Sequence, residues 1–473
     1  MERAKKRIAI VGGGLSGLVA AYEIKKAIMK ENLPFDFVVL ERMSFSGGMI
    51  RTFQTEDGPV DVGASSFDLR RGDERSFLAE LGLEDQIQYS QGGKLDRYSN
   101  HEFVSSDKPT YHGIPLRIVD LFYDKELSTG DKLRALFNYS SNQARSCEKK
   151  QLTTKEFLDL RFCSEISNLI ALPHYPENIY GSMELCAPPF FDPNLLSLFE
   201  KGTARKVDVA ERERLMDRSG QEYTLVGGMA TLVHRLLEFV GDHVETNRQL
   251  TDVSRLEQGV LSLELNKEDE IRVGSIISTV SISELTHIMK EGKRGSGLLP
   301  VTSNSDMGTI LFQFPKGAIT RYPSGFGFVI PKRSVFHISK ATFLNRKWES
   351  LADAKYDYLL VEVGRRQEDM LIQLPDEAIL PIIEQELEEI LGLRESYHSA
   401  SVFRWQQATP HVTKEAREAM VQNEERFKNS FSKRGIFIGG NGYHGYGMHN
   451  AIKEGRTLAA NALAYMKTIT PVK

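Results

Sequence analysis

The chain has 473 residues, room for two to four domains at roughly 100–200 residues each. Hydrophobic residues make up 41% and charged residues 26%, the balance of a soluble globular protein rather than a disordered or fibrous one. A formal net charge of −4 gives no footing for nucleic acid or an anionic membrane, both of which call for clustered positive charge.

Three cysteines, Cys147, Cys163 and Cys186, are an odd number without a CxxC pair. They argue against a disulfide scaffold or a zinc site and suit a reducing cytosol. No convergent His/Cys/Asp/Glu spacing suggests a metal. The start of the chain lacks an apolar signal core, and no run approaches the roughly 18–20 apolar residues that span a bilayer. A cytoplasmic protein is expected.

Residues 7–41 read strand, helix, strand. Arg7–Val11 is apolar and β-branched, Leu15–Lys26 has helical periodicity, and Phe35–Leu40 is a second strand. Between the first strand and the helix stand Gly12-Gly13-Gly14-Leu15-Ser16-Gly17. Gly12 permits a tight turn, Gly14 lets the backbone approach a pyrophosphate, and Gly17 lets the helix pack on the strand. The helix N-terminus then offers free N–H groups to the phosphates. Glu41 ends the second strand, close to the expected spacing for the acid that bonds an adenosine ribose. A carboxylate there would repel a 2′-phosphate, which argues against NADP even though Arg42 follows. Arg42 reads as a surface or adenine-side residue.

Gly47-Gly48 follows, a second bare backbone segment that can lie along an elongated cofactor. Residues 115–215 are rich in helical patterns, interrupted by Pro173, Pro176, Pro188, Pro189 and Pro193. The apolar run in this stretch, Pro188 to Phe199, reads as core or channel lining, with contact to a membrane or a partner protein the alternative. Residues 258–277 alternate like a hairpin. Residues 307–345 and 357–364 are strand-like, and 377–392 read as an acidic amphipathic helix. A strand at Gly435–Ile438 leads into Gly439-Gly440-Asn441-Gly442-Tyr443-His444-Gly445-Tyr446-Gly447 and a helix from about Asn450 to Met466. A helix N-terminus behind that loop could stabilise the negative charge of a reduced flavin pyrimidine. Together the three glycine segments favour FAD over NAD.

These segments resemble the flavin-containing amine oxidase superfamily, and more narrowly its bacterial protoporphyrinogen/coproporphyrinogen oxidases. Ile8–Gly17 resembles the FAD loop and Glu41–Thr52 the second glycine motif. Gly63-Ala64-Ser65-Ser66-Phe67 with Leu81-Gly82-Leu83-Glu84-Asp85 resembles the family's Gly-Pro-Asp-Ser-Phe and Leu-Gly-Leu-Glu segments. Ile114-Pro115, Leu127–Ala135, Gly227-Gly228-Met229, Gly325–Pro331, Lys347-Trp348 and Arg404-Trp405 extend the likeness. Departures are Phe45, Met49, Ala64-Ser65, Ala408–His411 and Met448-His449-Asn450.

The resemblance implies an α/β with α+β architecture. It has a Rossmann-type FAD-binding domain (1–90, 222–285, 400–473), a mixed-sheet substrate domain (91–114, 286–399) and a small helical domain (115–221). It implies FAD contacts from Gly12, Gly14, Leu15, Ser16, Gly17, Glu41, Arg42, Gly47, Gly48, Met49, Gly63, Ala64, Ser65, Val253, Trp405, Gly440, Met448, His449 and Asn450. Substrate contacts would come from Arg97, Phe326 and Val329, Arg97 as a carboxylate anchor. The implied activity is oxidation of a porphyrinogen to the porphyrin with molecular oxygen as acceptor, in haem synthesis, with possible hand-over to a partner protein. FAD carries the hydride chemistry, so no catalytic acid or base is nominated. An amine oxidase or desaturase on the same fold, or a non-catalytic flavoprotein, are the alternatives. No cysteine follows Cys186 to tether a flavin, which weakens only the covalent amine oxidases.

Overall fold

A computed structural model describes residues 6–141, 152–175, 182–200, 209–256, 259–291, 303–364 and 369–469. Its first layer is a five-stranded parallel sheet. In spatial order the strands are Val244–Glu245, Asp36–Leu40, Arg7–Val11, Ser275–Ser278 and Ile436–Ile438. Side chains alternate across a strand, so a sheet covered on both faces needs continuous apolar runs. Ile8 and Ile10 point into one core with Phe37, Val39 and Ile277, under Ala20, Ala21, Ile24, Leu458 and Ala462 of two long helices. Ala9 and Val11 point the other way with Val38 and Leu40, onto the three-stranded antiparallel sheet Leu250–Arg255, Leu261–Leu265, Asp269–Val273. The hairpin expected at 258–277 is the second half of that sheet.

The two helices are Leu15–Glu31 and Gly447–Ile469. They approach closely because Gly455 has no side chain: a Cβ there would lie 2.6 Å from the Ser16 carbonyl oxygen and 2.8 Å from Val19 Cβ.

The second layer is a seven-stranded sheet ordered Ser399–His411, Ser303–Pro315, Tyr356–Val363, Ile338–Phe343, Gly327–Val329, Leu95–Ser99, Glu102–Val104. Its one parallel pairing sets Gly327, Phe328 and Val329 beside Leu95, Asp96 and Arg97. Ile310, Phe312 and Phe314 of one face pack on Ile379, Ile383, Leu387 and Ile390 of the helix Asp376–Leu391. The opposite face, with Leu311, Leu360 and Phe403, meets Val60 and Val62. The boundary expected at 400 therefore falls beside the first residue of a 13-residue strand that pairs with Ser303–Pro315 in this sheet.

The third part is helical. Thr129–Ser140, Thr154–Arg161, Ser164–Ile166, a π turn at Ser167–Ala171, Leu172–His174, Pro188–Phe191, Pro193–Phe199 and Val209–Leu215 surround Phe157, Leu158, Phe162, Phe191, Leu195 and Phe199. The prolines initiate as much as they interrupt. Pro188 and Pro193 occupy first helical positions, where the missing N–H costs nothing and φ is preset. Pro176 lies outside the described residues. The apolar run expected as core or channel lining buries Phe191, Leu195, Leu198 and Phe199. Tyr446, from the C-terminal glycine loop, is also fully buried in this core. Among the described residues no helix is long and apolar enough to cross a membrane.

Candidate functional site

The glycine loop is shaped by what its residues lack. Gly12 has φ +102°, a conformation L side chains rarely adopt, and a Cβ there would lie 2.6 Å from Thr279 Oγ1. A Cβ on Gly17 would collide with the Gly12 carbonyl oxygen, so the helix can start this close to the strand only with glycine. Gly14 differs. A Cβ there meets nothing nearer than Gly48 Cα at 3.9 Å, so its side faces open space. Gly14 also caps the helix Leu15–Glu31 without any side-chain hydrogen bond, and the first turn carries no acid. The unpaired N–H groups of that turn thus face a bare backbone opening.

The second glycine pair is built against the first. Gly14 and Gly47 form a parallel β-bridge, and the Gly47 N–H donates to the Gly13 carbonyl at 2.8 Å. Ser46 Oγ is buried without a hydrogen-bond partner, 3.0 Å from where a Gly13 Cβ would stand. Glu41 is buried at the end of its strand. Its carboxylate accepts from the backbone N–H of Gly13 (2.7 Å) and of Met43 (2.8 Å), so the acid and the loop are held together. An uncapped helix end, a bare approach at Gly14, an orphaned hydroxyl and a fixed carboxylate beside them fit the pyrophosphate and ribose of FAD.

The other cofactor candidates gather around this cradle in part. Ala64 N–H donates to the Met49 carbonyl at 2.9 Å, and a Cβ on Gly63 would press that carbonyl and lie 3.0 Å from Trp405 Cζ2. Ser65 follows in the same segment. Leu15 and Ser16 lie in the first helical turn, and Met448 packs on the cluster containing Leu15 and Leu18. Val253 packs on the cluster of Val11 and Leu40. Gly440, φ +109°, abuts the Thr279 carbonyl, while Thr279 Oγ1 donates to the Val11 and Gly12 carbonyls at 3.1 and 3.2 Å. Thr279 therefore joins the first and last glycine loops. Sequence reasoning passed over it because its only signal is its place at the end of an apolar strand.

Three candidates are engaged with protein groups. Arg42 is exposed and bonds Glu284 at 3.2 Å, as a surface residue would. His449 Nδ1 shares a hydrogen bond with the Glu74 carboxylate, and its ring packs against Gly72. Asn450 Nδ2 turns back to donate to the Gly445 carbonyl at 3.1 Å.

Beyond Gly63–Ser65 the chain leads to a cavity of 460 Å³ between the helical part and the seven-stranded sheet. Ser66 Oγ donates to the Glu222 carboxylate at 2.6 Å, and Lys347 Nζ donates to the same oxygen at 2.6 Å. Burial works against the Glu222 charge. The Lys347 ammonium and the two hydrogen bonds outweigh it and hold the carboxyl at about 2. Burial also depresses the Lys347 ammonium. That ammonium sits 5.1 Å from the centre of the Phe326 ring and 4.9 Å from that of Trp348. Glu222 and Phe326 both line the cavity, so this pair ties its wall to the cofactor segment.

Of the substrate candidates, Phe326 faces the cavity, and Val329 is fully buried in the sheet. Arg97 lines the cavity but is buried between two carboxylates: its guanidinium donates to Asp124 at 2.9 Å and to Glu126 at 2.7 Å. Its charge is thus met from within the protein. The acids that do this lie 27 and 29 residues further on, beyond any local pattern.

A family profile described as flavin containing amine oxidoreductase matches residues 15–463. A coproporphyrinogen III oxidase of Bacillus subtilis is 24% identical over 98% of this chain and 100% of its own length. A mitochondrial protoporphyrinogen oxidase of Nicotiana tabacum is 21% identical, covering 98% and 96%. Among solved structures, a candidate protoporphyrinogen oxidase of Exiguobacterium sp. 255-15 superposes with a TM-score of 0.80 at 20% identity, covering 96% of this chain and 98% of that one.

Proposed function

The chain belongs to the flavin containing amine oxidoreductase family, with FAD as its cofactor, and we propose that within this family it oxidises a porphyrinogen to the porphyrin. Molecular oxygen would be the final acceptor and haem synthesis the setting. The observation that carries this reading is the cavity joined to the cofactor segment through Ser66 and Glu222, with an aromatic wall at Phe326 and basic residues along its lining. A flat apolar ring with carboxylate arms calls for that combination. The names of the Bacillus and Nicotiana relatives support the same substrate class.

FAD, when bound, supplies the hydride acceptor for each two-electron oxidation. The cradle Gly12–Gly17, Ser46 and Glu41 would hold its diphosphate and ribose. Gly63–Ser65 and Trp405 would border it on the side of the seven-stranded sheet. Phe326 would lie against the substrate ring, its own position secured by Lys347. The Lys347–Glu222–Ser66 contact would keep that wall in register with the cofactor segment. None of these steps asks a side chain to act as a strong base, because the product gains aromatic stabilisation.

The test is turnover. Full-length protein loaded with FAD is given coproporphyrinogen, protoporphyrinogen and a panel of amines. Porphyrin fluorescence rising with oxygen uptake is expected. Amine oxidation alone would overturn the reading, and flavin binding without turnover of any of them would favour a non-catalytic flavoprotein.

A further inference from the structure

We propose that Lys94 and Lys108, supported by Arg218, rather than Arg97, hold the anionic arms of the ligand in the 460 Å³ cavity. The proposal rests on the porphyrinogen reading for the identity of the ligand. The four residues all line the cavity, but their surroundings differ. Arg97 already has two carboxylates, Asp124 and Glu126. A guanidinium neutralised twice has little left to offer a third anion, and moving it would strand two buried acids.

Lys94, three residues earlier, is positioned without being neutralised. Its Nζ donates to the Ser106 carbonyl at 2.7 Å and the Lys108 carbonyl at 3.0 Å. These neutral acceptors aim the ammonium and leave its charge and one of its three N–H donors available. Lys108 Nζ lies 4.4 Å from the centre of the Tyr123 ring, another cavity residue, and Arg218 Nε donates to the neutral Gln221 amide at 3.2 Å. None of these three cations has a carboxylate partner among the described residues.

Three acids of the wall, Asp124, Asp217 and Glu222, are committed elsewhere. Asp217 is bonded to Arg70, to Thr110 Oγ1 at 2.8 Å and to the backbone N–H groups of His112 and Gly113. Glu222 is bonded to Lys347 and Asp124 to Arg97. Asp120 lies 3.9 Å from the exposed Arg117, and its buried Oδ2 accepts no hydrogen bond among the described residues. Glu102 and Asp107 are exposed. Among the described lining residues the cations without a carboxylate partner are therefore Lys94, Lys108, Arg218 and the exposed Lys125, and Lys94 and Lys108 share one stretch of the wall that Phe326 also lines. An apolar ring seated on Phe326 would present its carboxylates to them.

The experiment uses FAD-loaded full-length protein and fluorescence titration with coproporphyrin III, which carries four carboxylates, and with its tetramethyl ester, which carries none. In Lys94→Gln/Lys108→Gln the Kd for the free acid should rise about tenfold to a hundredfold, the loss of one or two charge-assisted hydrogen bonds. The ester should bind the variant and wild type alike, and flavin absorbance should be unchanged. If the double variant fails to retain flavin, the Lys108→Gln single variant carries the test with the same expectation of weaker acid binding. Unchanged affinity for the acid in a flavin-loaded variant overturns the proposal. So does a wild type that binds acid and ester equally. A wild type that oxidises coproporphyrinogen while the variant binds coproporphyrin normally removes the anchor alone. A wild type that neither binds nor oxidises any porphyrin species removes the porphyrinogen reading, and the anchor with it.

Discussion

Gly14 and Gly17 are three residues apart and have no side chain for opposite reasons. At Gly17 the missing Cβ makes room for protein, the Gly12 carbonyl. At Gly14 it leaves room for something that is not protein, since only Gly48 comes within 4 Å of the Cβ position. Gly14→Val is therefore expected to remain folded and soluble while losing FAD, measured as the loss of visible flavin absorbance with an unchanged far-ultraviolet circular dichroism spectrum. Gly17→Ala should instead unfold or aggregate, because the collision is with backbone that cannot move aside. A flavin-loaded Gly14→Val protein would place the pyrophosphate elsewhere. The glycine spacing and Glu41 were legible in the sequence because both belong to one strand–helix–strand unit, where geometry follows chain order. The state of Arg97 was not, because its partners reach it through the fold.

Elements meet through a few buried polar contacts, and Lys347–Glu222 is the most exposed to test. It links the last residue of the short helix Leu344–Lys347 to the strand Glu222–Leu225, with Ser66 completing the group. Lys347→Met would leave the half-buried Glu222 without its cation, at a cost of about 1–3 kcal/mol in unfolding free energy. The double variant Lys347→Met/Glu222→Gln should recover a large part of that, as urea unfolding would show. The pair also predicts an acid limb. Glu222 is held at about 2 against an ordinary value of 4.5, so its contribution to stability is complete above pH 4.5 and is lost as pH falls toward 2. That limb should be reduced in Lys347→Met. An identical acid titration in both proteins would show that the ion pair does not set it. The sequence pointed to strands at 307–345 and 357–364 and a helix at 377–392, since each has its own periodicity. It did not reveal Ser399–His411 as a strand of that sheet, because its role depends on pairing with Ser303–Pro315 nearly a hundred residues away.

For the molecule as a whole, the cofactor cradle is assembled from stretches far apart in the chain: Gly12–Gly17 with Gly47, Gly63–Ser65 with Trp405, and Gly440 through Thr279. A ligand that touches all of them should stabilise all of them at once. Saturation with FAD is expected to slow hydrogen exchange simultaneously in the segments around 12–17, 279 and 440, and at a hundredfold excess over Kd to add about 2.7 kcal/mol of stability. Protection confined to the first glycine loop would mean that the last loop is not part of the cofactor site. Tyr446 makes the coupling broader, since the loop that carries it is anchored in the core of the helical part.

The nucleotide cradle is readable along the chain: the strand, the glycines, the helix and the acid follow one another closely enough that local geometry brings them together. The sequence also carried the family, because the glycine segments recur in order along nearly the whole chain. Which charges stay unmatched is set by the folded chain. Whether Arg97, Lys94, Lys108 or Lys347 can meet an anion depends on which acids the fold sets beside each of them. Coulombic pairing acts through space over a few ångströms, without regard to separation along the chain.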